Sequence, residues 1–326
     1  MRILFWGTPD FAVPALRALL EEGHHVVAVV TQPDRPAGRG RKLRPSPVRE
    51  AAESEGVPVL TPKRPRGEAF EEELRALEPE ISVVVAYGHI LSLPVLELPE
   101  HGSWNIHASL LPELRGAAPI HHAILRGHDR TGITIMQMTE GLDAGPIVMQ
   151  REIPIEPEDT SSGLALRLAE LGAEAIVEAL GMLEAGLVEP EEQDHARATY
   201  APKVDREGAR IDWTEPAREV ADRIRGMDAL PGAWSILEGE SCKLFRPLPE
   251  GDSDRGARTG ADRDPSPGAG HASPGTILEA DPAGLLVATG GKGAVRVAEI
   301  QPPGRRRMPV DAWLRSRENP AGRRFQ

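Results

Sequence analysis

The chain has 326 residues, of which 40% are hydrophobic and 27% are charged, and its formal net charge is −12. This length favours two domains over one, and the composition is that of an ordinary globular protein. No apolar run reaches the ~18 residues of a transmembrane helix, the first residues lead into a strand without a signal-peptide pattern, and the single cysteine excludes an internal disulfide framework. We therefore expect a cytoplasmic protein without a membrane partner.

Strand and helix signals alternate from the start of the chain. Residues 2–6 and 25–31 are apolar runs of strand length, and the residues between them carry a helical pattern. Such a βαβ opening implies a parallel sheet with a right-handed crossover. The alternation continues through the apolar run at 81–87 and ends in a long amphipathic helix. We therefore predict a Rossmann-like, mostly parallel sheet domain over residues 1–185.

Residues 32–47, QPDRPAGRGRKLRPSP, are expected to form a long basic loop in an acidic part of the chain. Residues 1–204 contain 19 positive and 31 negative side chains, whereas the segment from Asp34 to Arg49 has six cations and one acid. A local reversal of the surrounding charge is typical of a surface that meets an anionic partner. The alternative is a solvated basic loop without a partner.

The segment Ser103–Pro119, SWNIHASLLPELRGAAP, concentrates side chains that can do chemistry. Asn105 and His107 are two positions apart in a predicted strand, so both side chains leave the same face. They would bring a hydrogen-bond donor and a titratable base into one pocket. Asp143 stands on a separate glycine-bracketed turn that presents one carboxylate. The alternative is a strand end whose Asn and His satisfy local backbone groups.

The pattern changes in the last third of the chain. Residues 186–204 are polar and predict a linker, and short strand-like runs over 205–326 predict a small OB-like β-barrel. Residues 250–274 contain almost nothing apolar and predict a flexible insertion. The neighbouring His121 and His122 lack further ligands at zinc-like spacing, so we expect no metal site.

Six stretches of this sequence resemble the methionyl-tRNA formyltransferase family, along essentially the whole chain. They are GTPDFA (7–12), TQPDRPAGRGRKLRPSPV (31–48), VVVAYGHIL (83–91), NIHASLLPELRGAAPI (105–120), TGITIMQMTEGLDAGPI (131–147) and RIDW (210–213). The Asn, His, SLLP and Gly-Leu-Asp set is shared by the wider 10-formyltetrahydrofolate-dependent superfamily. The TQPDRPAGRG loop has a narrower distribution and is similar to that of the tRNA enzymes.

The resemblance implies an enzyme that transfers a formyl group from 10-formyltetrahydrofolate to the α-amino group of initiator methionyl-tRNA, which then serves translation initiation. Catalysis needs a proton acceptor and an oxyanion donor. His107 would manage the proton of the amine, Asn105 would donate to the oxyanion, and Asp143 would orient His107 and favour its cationic form. The folate is a co-substrate, and no metal is implied.

The resemblance also implies two sets of binding residues in a protein that we expect to be a monomer. The folate contacts are Ser109, Leu110, Leu111, Pro112, Val85, Tyr87, Gly88, Ile90 and Gly141, with a Leu111–Pro112 peptide bond that the family resemblance suggests is cis. The tRNA contacts are Arg39, which enters the acceptor stem, and Arg35, Arg41 and Lys42, which supply affinity for phosphates.

Two other functions fit parts of the sequence. The first is a formyltransferase for a small amine, such as a glycinamide nucleotide or an amino sugar, which would use the same Asn, His and Asp. Such an enzyme needs neither the basic loop nor the second domain. The second is a tRNA-binding module without catalysis, for which replacing His107 by alanine would change no measurable property.

Overall fold

The computed structural model describes residues 1–37, 42–250 and 272–326, and this part of the chain forms two compact units. The first unit contains residues 1–119, 130–153 and 165–201. The second contains residues 120–129, 154–164 and 202–326. The second unit therefore takes two short segments from before the predicted linker at residues 186–204, whereas the first unit ends within that linker, and the predicted boundary stays a prediction.

The first unit is built on a central sheet. The strands of this unit among the described residues are β1 (Arg2–Gly7), β2 (His25–Val30), β3 (Arg35–Ala37), β4 (Lys42–Arg44), β5 (Val59–Leu60), β6 (Ile81–Val85), β7 (Ser103–His107), β8 (Arg130–Gln137) and β9 (Ile147–Pro154). The central sheet has the order β5-β2-β1-β6-β7-β8-β9. The pairs from β5 to β7 are parallel, whereas β7 and β8 are antiparallel. This arrangement confirms the predicted Rossmann-like, mostly parallel sheet.

Helices and 3-10 turns separate these strands along the chain. Their bounds are α1 (Val13–Glu21), α2 (Pro47–Ser54), α3 (Glu68–Arg75), α4 (Leu93–Leu96), α5 (Pro119–Leu125) and α6 (Ser161–Glu184), with 3-10 turns at Asp10–Ala12 and His195–Arg197. The start of α6 is capped by Thr160, whose hydroxyl accepts the Gly163 N–H at 3.1 Å. Helix α6 approaches β7 closely at Gly172, where a Cβ would lie 2.9 Å from the Ile106 side chain.

The core of the first unit surrounds β1 and β6, whose apolar residues are almost fully buried. Such near-continuous apolar runs are typical of parallel strands covered on both faces. Strand β6 ends earlier than predicted, at Val85, because Ala86 and Gly88 take positive φ angles of 46° and 82° and turn the chain. Because β1, β2, β6 and β7 are parallel, the residues that follow them meet at one edge of the sheet. Open α/β folds place their ligands at this edge.

The prediction of one long loop over residues 32–47 was wrong on both sides of residues 38–41. Strands β3 and β4 form an antiparallel pair in which Arg35 lies opposite Arg44 and Ala37 lies opposite Lys42. These three-residue strands are rich in cations and proline, so they have no apolar alternation from which a pair could be predicted. Residues 38–41 lie outside the described residues.

The second unit contains an antiparallel sheet with helices beside it. Its elements in the described chain include α7 (Ala217–Gly226), β10 (Trp234–Leu237), β11 (Glu240–Glu250), β12 (Ile277–Asp281), β13 (Gly284–Ala288), β14 (Ala294–Gln301), β15 (Met308–Pro309) and α8 (Val310–Leu314). The strand order is β10-β11-β14-β13-β12, with β15 on β14. The predicted flexible insertion falls mostly on residues 251–271, which lie outside the described residues.

The last residues of the chain join the two outer strands of this sheet. Gln326 exchanges backbone hydrogen bonds with Ile236 in β10, and the Arg323 carbonyl accepts the Ile277 N–H of β12 at 2.8 Å. The tail thus bridges both edges, which gives the sheet the character of the small barrel that the sequence predicted. In the described part of the chain, no helix is long and apolar enough to cross a membrane.

Candidate active site

Strand β7 carries the two central candidates in the middle of the sheet. Asn105 lies opposite Val84 of β6 and Met136 of β8, and His107 lies opposite Thr134 of β8. Alternate strand positions share a face, so the two side chains project to the same side as expected. His107 is 5% exposed, whereas Asn105 is half-buried. Among the described residues, none of the hydrogen bonds uses the Asn105 amide, which leaves it free to meet a ligand.

The backbone that follows β7 fixes which nitrogen of His107 carries a proton. Nε2 of His107 lies 3.1 Å from the carbonyl oxygen of Leu114. Because a carbonyl can only accept, Nε2 must be the donor, and the neutral ring then has its lone pair on Nδ1. Leu114 is held in position at a positive φ of 59°, and its own N–H donates to the Thr199 hydroxyl at 2.9 Å.

The Asp143 carboxylate lies next to the free nitrogen of His107. Oδ2 of Asp143 is 3.8 Å from Nδ1 of His107, and the same oxygen accepts the Gly116 N–H at 2.8 Å. The distance to the ring fits an ion pair and is too long for a hydrogen bond. The fold therefore brings together two residues that are 36 positions apart in the sequence, and it places a negative charge beside Nδ1.

The SLLP turn is held by side chains that the sequence did not point to. The Thr134 hydroxyl donates to the Ser109 carbonyl at 2.7 Å and accepts the Leu111 N–H at 3.1 Å. Gln150 donates to the Leu111 carbonyl and to the same hydroxyl, both at 2.9 Å. The side chains of Ser109 and Leu111 are buried, and those of Leu110 and Pro112 are partly exposed. The Leu111–Pro112 bond is cis, as the resemblance suggested.

The other expected folate residues fall into buried and exposed groups. The side chains of Val85 and Tyr87 are buried, and the Tyr87 ring packs edge-on against Trp6 at 5.2 Å between centroids. These two residues can therefore offer a ligand little more than their backbone. Ile90 is 96% exposed, and Gly141 is also exposed.

The Tyr87 carbonyl joins the ends of three neighbouring strands. It accepts hydrogen bonds from the Gln32 amide at 2.7 Å and from the Thr8 hydroxyl at 3.1 Å. Gly88 must be small here, because a Cβ would lie 2.6 Å from the Gln32 nitrogen. Arg35 donates to the oxygen of Gln32, so the β3–β4 pair is anchored to this strand end.

The structure describes only some of the basic residues that are expected to contact tRNA. Arg35 and the backbone of Lys42 belong to the β3–β4 pair, whereas Arg39 and Arg41 lie outside the described residues. Arg49, at the start of α2, pairs with Asp34 at 3.1 Å. Asp34 thus lies in an ion pair on the flank of the basic segment.

Residues 191–201, which read as a linker in the sequence, line the candidate site of the first unit. The Ala201 N–H donates to the Arg115 carbonyl at 2.7 Å, and the Ala118 N–H donates to the Ala201 carbonyl at 3.1 Å. Gly116 has a φ of 116°, and a Cβ there would lie 2.9 Å from the Ala201 oxygen. The glycine after Arg115 was the one sequence signal for this close backbone approach.

The adjacent histidines both have backbone hydrogen-bond partners. Nε2 of His121 donates to the Leu230 carbonyl at 3.4 Å, and Nε2 of His122 donates to the Pro202 carbonyl at 2.9 Å. Burial lowers the pKa of both imidazoles below the ordinary value. Within residues 1–37, 42–250 and 272–326, no group of three His, Cys, Asp or Glu side chains is arranged to hold a metal ion.

Comparisons with known proteins cover both units. Residues 1–180 match the formyl transferase family, and residues 203–318 match the formyl transferase C-terminal domain. The methionyl-tRNA formyltransferase of Desulfotalea psychrophila is 46% identical over 96% of this chain and 92% of its own length. That of Anaeromyxobacter sp. (strain K) is 48% identical over 94% of this chain and 93% of its own length.

A solved structure shows a similar fold at low sequence identity. HypX from Aquifex aeolicus in complex with tetrahydrofolic acid has a TM-score of 0.63 and 20% identity, and the match covers 96% of this chain and 47% of HypX. The chain thus spans about half the length of HypX. This likeness supports the fold, and the sequence matches identify the group. The chain belongs to the formyl transferase family and, within it, to the methionyl-tRNA formyltransferases.

Proposed function

We propose that this protein transfers the formyl group of 10-formyltetrahydrofolate to the α-amino group of initiator methionyl-tRNA, giving N-formylmethionyl-tRNA for translation initiation. The observation that carries the proposal is the match to methionyl-tRNA formyltransferases at 46–48% identity over 94–96% of the chain. These matches are to methionyl-tRNA formyltransferases over more than nine-tenths of both chains, and the family models cover both units.

His107 takes the proton that the amine loses. An α-amino group has a pKa near ~7.7 to 8 in model peptides, so a large fraction is protonated at neutral pH and must be deprotonated before attack. The lone pair on Nδ1 can receive this proton, directly or through a water. Asp143, 3.8 Å from Nδ1, stabilises the cation that results. The Leu114 carbonyl keeps the ring in the required tautomer.

Asn105 stabilises the charge that develops on the formyl oxygen. The amine nitrogen bonds to the formyl carbon, and the carbonyl oxygen becomes an oxyanion. The side-chain amide of Asn105 donates to it, a contribution worth roughly 2.7 to 4 kcal/mol where such donors have been removed. The bond from carbon to N10 then breaks, and N10 leaves with a proton from His107 or a relayed water.

The folate is held at the strand ends beside these groups. The backbone of Val85, Tyr87 and Gly88 and the turn from Ser109 to Pro112 offer hydrogen-bonding groups. Ile90 supplies an exposed apolar surface, and Gly141 belongs to the loop that leads to Asp143. A mostly apolar wall with a few directional polar groups suits a fused aromatic ring system such as a pterin.

The basic segment holds the tRNA. Arg35, Arg39, Arg41 and Lys42 concentrate positive charge in the acidic first part of the chain, and Arg39 enters the acceptor stem. The anchor of Arg35 through Gln32 to the Tyr87 carbonyl ties this segment to the folate side of the site. We place this activity in the cytoplasm, on a monomer.

The choice of acceptor tests the proposal. Formyl transfer from 10-formyltetrahydrofolate is measured with methionyl-tRNA, uncharged tRNA, initiator tRNA charged with another amino acid, and free methionine. We expect efficient transfer to methionyl-tRNA alone. Equal transfer to a small amine would contradict the proposal, and so would a complete absence of transfer to methionyl-tRNA.

A further inference from the structure

The side chain of Gln193 holds the turn that presents Asp143. Gln193 is 5% exposed, and its Nε2 donates to the carbonyl oxygens of Asp143 at 2.9 Å and of Gly145 at 2.7 Å. These two carbonyls belong to the glycine-bracketed turn itself. One buried amide therefore fixes the main chain of the turn at two points.

Arg115 determines which way the Gln193 amide faces. The Arg115 side chain is 4% exposed, and its Nε and Nη2 donate to Oε1 of Gln193 at 3.2 and 2.6 Å. A guanidinium has only donors, so Oε1 must face Arg115 and Nε2 must face the turn. Nη2 of Arg115 also donates to Nδ1 of His195 at 3.0 Å. The amide orientation is thus set by a buried cation.

The same short segment holds the Asp143 carboxylate. Gly116 follows Arg115, and its N–H donates to Oδ2 of Asp143 at 2.8 Å. Asp143 has a φ of 47°, a left-handed conformation that aspartate adopts more readily than most residues with a Cβ. Its main chain is held through Gln193, its carboxylate is held by Gly116, and the carboxylate lies 3.8 Å from His107.

We propose that Gln193 is a positioning residue for formyl transfer, which acts with Arg115 to keep the Asp143 carboxylate beside Nδ1 of His107. This inference rests on the proposed function. The proposed effect is electrostatic. The attraction between the Asp143 carboxylate and a protonated His107 ring decreases as the distance between them increases. A loosened turn would slow the proton transfer more than it weakens the binding of either substrate.

Three variants separate positioning from packing. Gln193→Glu keeps an acceptor for Arg115 but removes the two N–H donors, and Arg115→Lys removes the fork that orients the amide. Glu192→Gln is the matched control, because it exchanges a carboxylate and an amide at the adjacent, exposed position. We expect Gln193→Glu to lower kcat by on the order of 10-fold to 100-fold, as small misplacements of reacting groups do. KM for methionyl-tRNA stays near the wild-type value, KM for the folate changes less than kcat, and the control matches wild type.

A double-mutant cycle with Asp143→Ala gives the decisive readout. If Gln193 acts through Asp143, Gln193→Glu and Arg115→Lys cause no further loss of kcat once the carboxylate is gone. Equal losses in both backgrounds, or an unchanged kcat in the wild-type background, would overturn the inference. A wild-type enzyme that forms no formylmethionyl-tRNA would overturn the proposed function. An active wild-type enzyme with either of the kcat results above would overturn only the inference about Gln193, so the two failures are distinguishable.

Discussion

The hydrogen bond from His107 to the Leu114 carbonyl decides which ring nitrogen can act as a base. The alternation of β7 predicted that Asn105 and His107 share a face, because strand periodicity is a local property. It could not predict the tautomer, which depends on a carbonyl seven residues later on a left-handed residue. At the residue scale, the sequence therefore identifies the chemical groups, and the fold determines which of their atoms already have a hydrogen-bond partner.

Asn105 should contribute through its N–H donors alone. Asn105→Ala removes the donors, and Asn105→Asp replaces them by a carboxylate that cannot donate at neutral pH. We expect the alanine variant to lower kcat by about 100-fold to 1,000-fold and the aspartate variant by at least as much, since it repels the oxyanion. Steady-state kinetics check this. An aspartate variant with wild-type kcat would show that no donor is required at this position.

Tyr87 should matter through its backbone and not through its hydroxyl. The hydroxyl is buried without a hydrogen-bond partner among the described residues, and burial raises its pKa to about 12. The unfolded tyrosine titrates near ~10, so the folded state loses stability as the pH rises from about 10 towards 12. We expect Tyr87→Phe to keep folate binding, to leave stability at pH 7 unchanged or higher, and to reduce this alkaline loss. Urea unfolding at several pH values measures it, and a large loss of stability at pH 7 would contradict the account.

At the scale of elements, strong periodicity was informative and weak periodicity was not. The strands β1, β2 and β6 and the long helix α6 were predicted because their apolar residues recur at a fixed spacing. The β3–β4 pair and the role of residues 191–201 were missed, because both depend on backbone hydrogen bonds that leave no apolar pattern in the sequence. Gln193 looked like a linker residue, because its side-chain hydrogen bonds join it to segments that are distant in the sequence.

The close approach of residues 191–201 to the backbone at Gly116 can be tested by a substitution at this glycine. Gly116→Ala forces a Cβ to within 2.9 Å of the Ala201 oxygen at a φ of 116°. Gly186→Ala is the matched control, since its φ is also positive, at 68°, but nothing lies within 4 Å of the added carbon. We expect the control to lose roughly 1 to 2 kcal/mol from strain alone and Gly116→Ala to lose clearly more stability, together with activity. Equal losses in thermal unfolding would show that the contact is unimportant.

The basic segment should govern affinity for tRNA and its dependence on salt. Arg39→Ala removes a cation from the centre of the segment, and Arg75→Ala removes an exposed cation from α3 as a control. Each phosphate contact contributes about 0.9 to the slope of log K against log salt for duplex nucleic acid. We expect Arg39→Ala to weaken tRNA binding and to reduce that slope, with folate binding unchanged. An unchanged slope would rule out Arg39 as a tRNA contact.

At the scale of the whole molecule, the two compact units do not follow the simple order of the chain. Residues 154–164 belong to the second unit, where Arg225 donates to the Glu156 carbonyl at 3.2 Å and the Ser162 hydroxyl donates to the Asp228 carbonyl at 2.9 Å. Local periodicity carries no information about which unit a segment packs against. The sequence could therefore predict a Rossmann-like domain and a small β-barrel, but not which segments of the chain belong to each unit.

The claim that one site performs formyl transfer to methionyl-tRNA is tested most directly by single-turnover kinetics of His107→Ala. Enzyme in excess is mixed with methionyl-tRNA and 10-formyltetrahydrofolate, the reaction is quenched, and N-formylmethionine is quantified by mass spectrometry, with the binding of each substrate measured separately. We expect wild-type protein to formylate the tRNA and His107→Ala to do so at least ~100-fold more slowly, the usual contribution of a positioned acid–base group, with both substrates still bound. Formylation by His107→Ala at the wild-type rate would contradict the account.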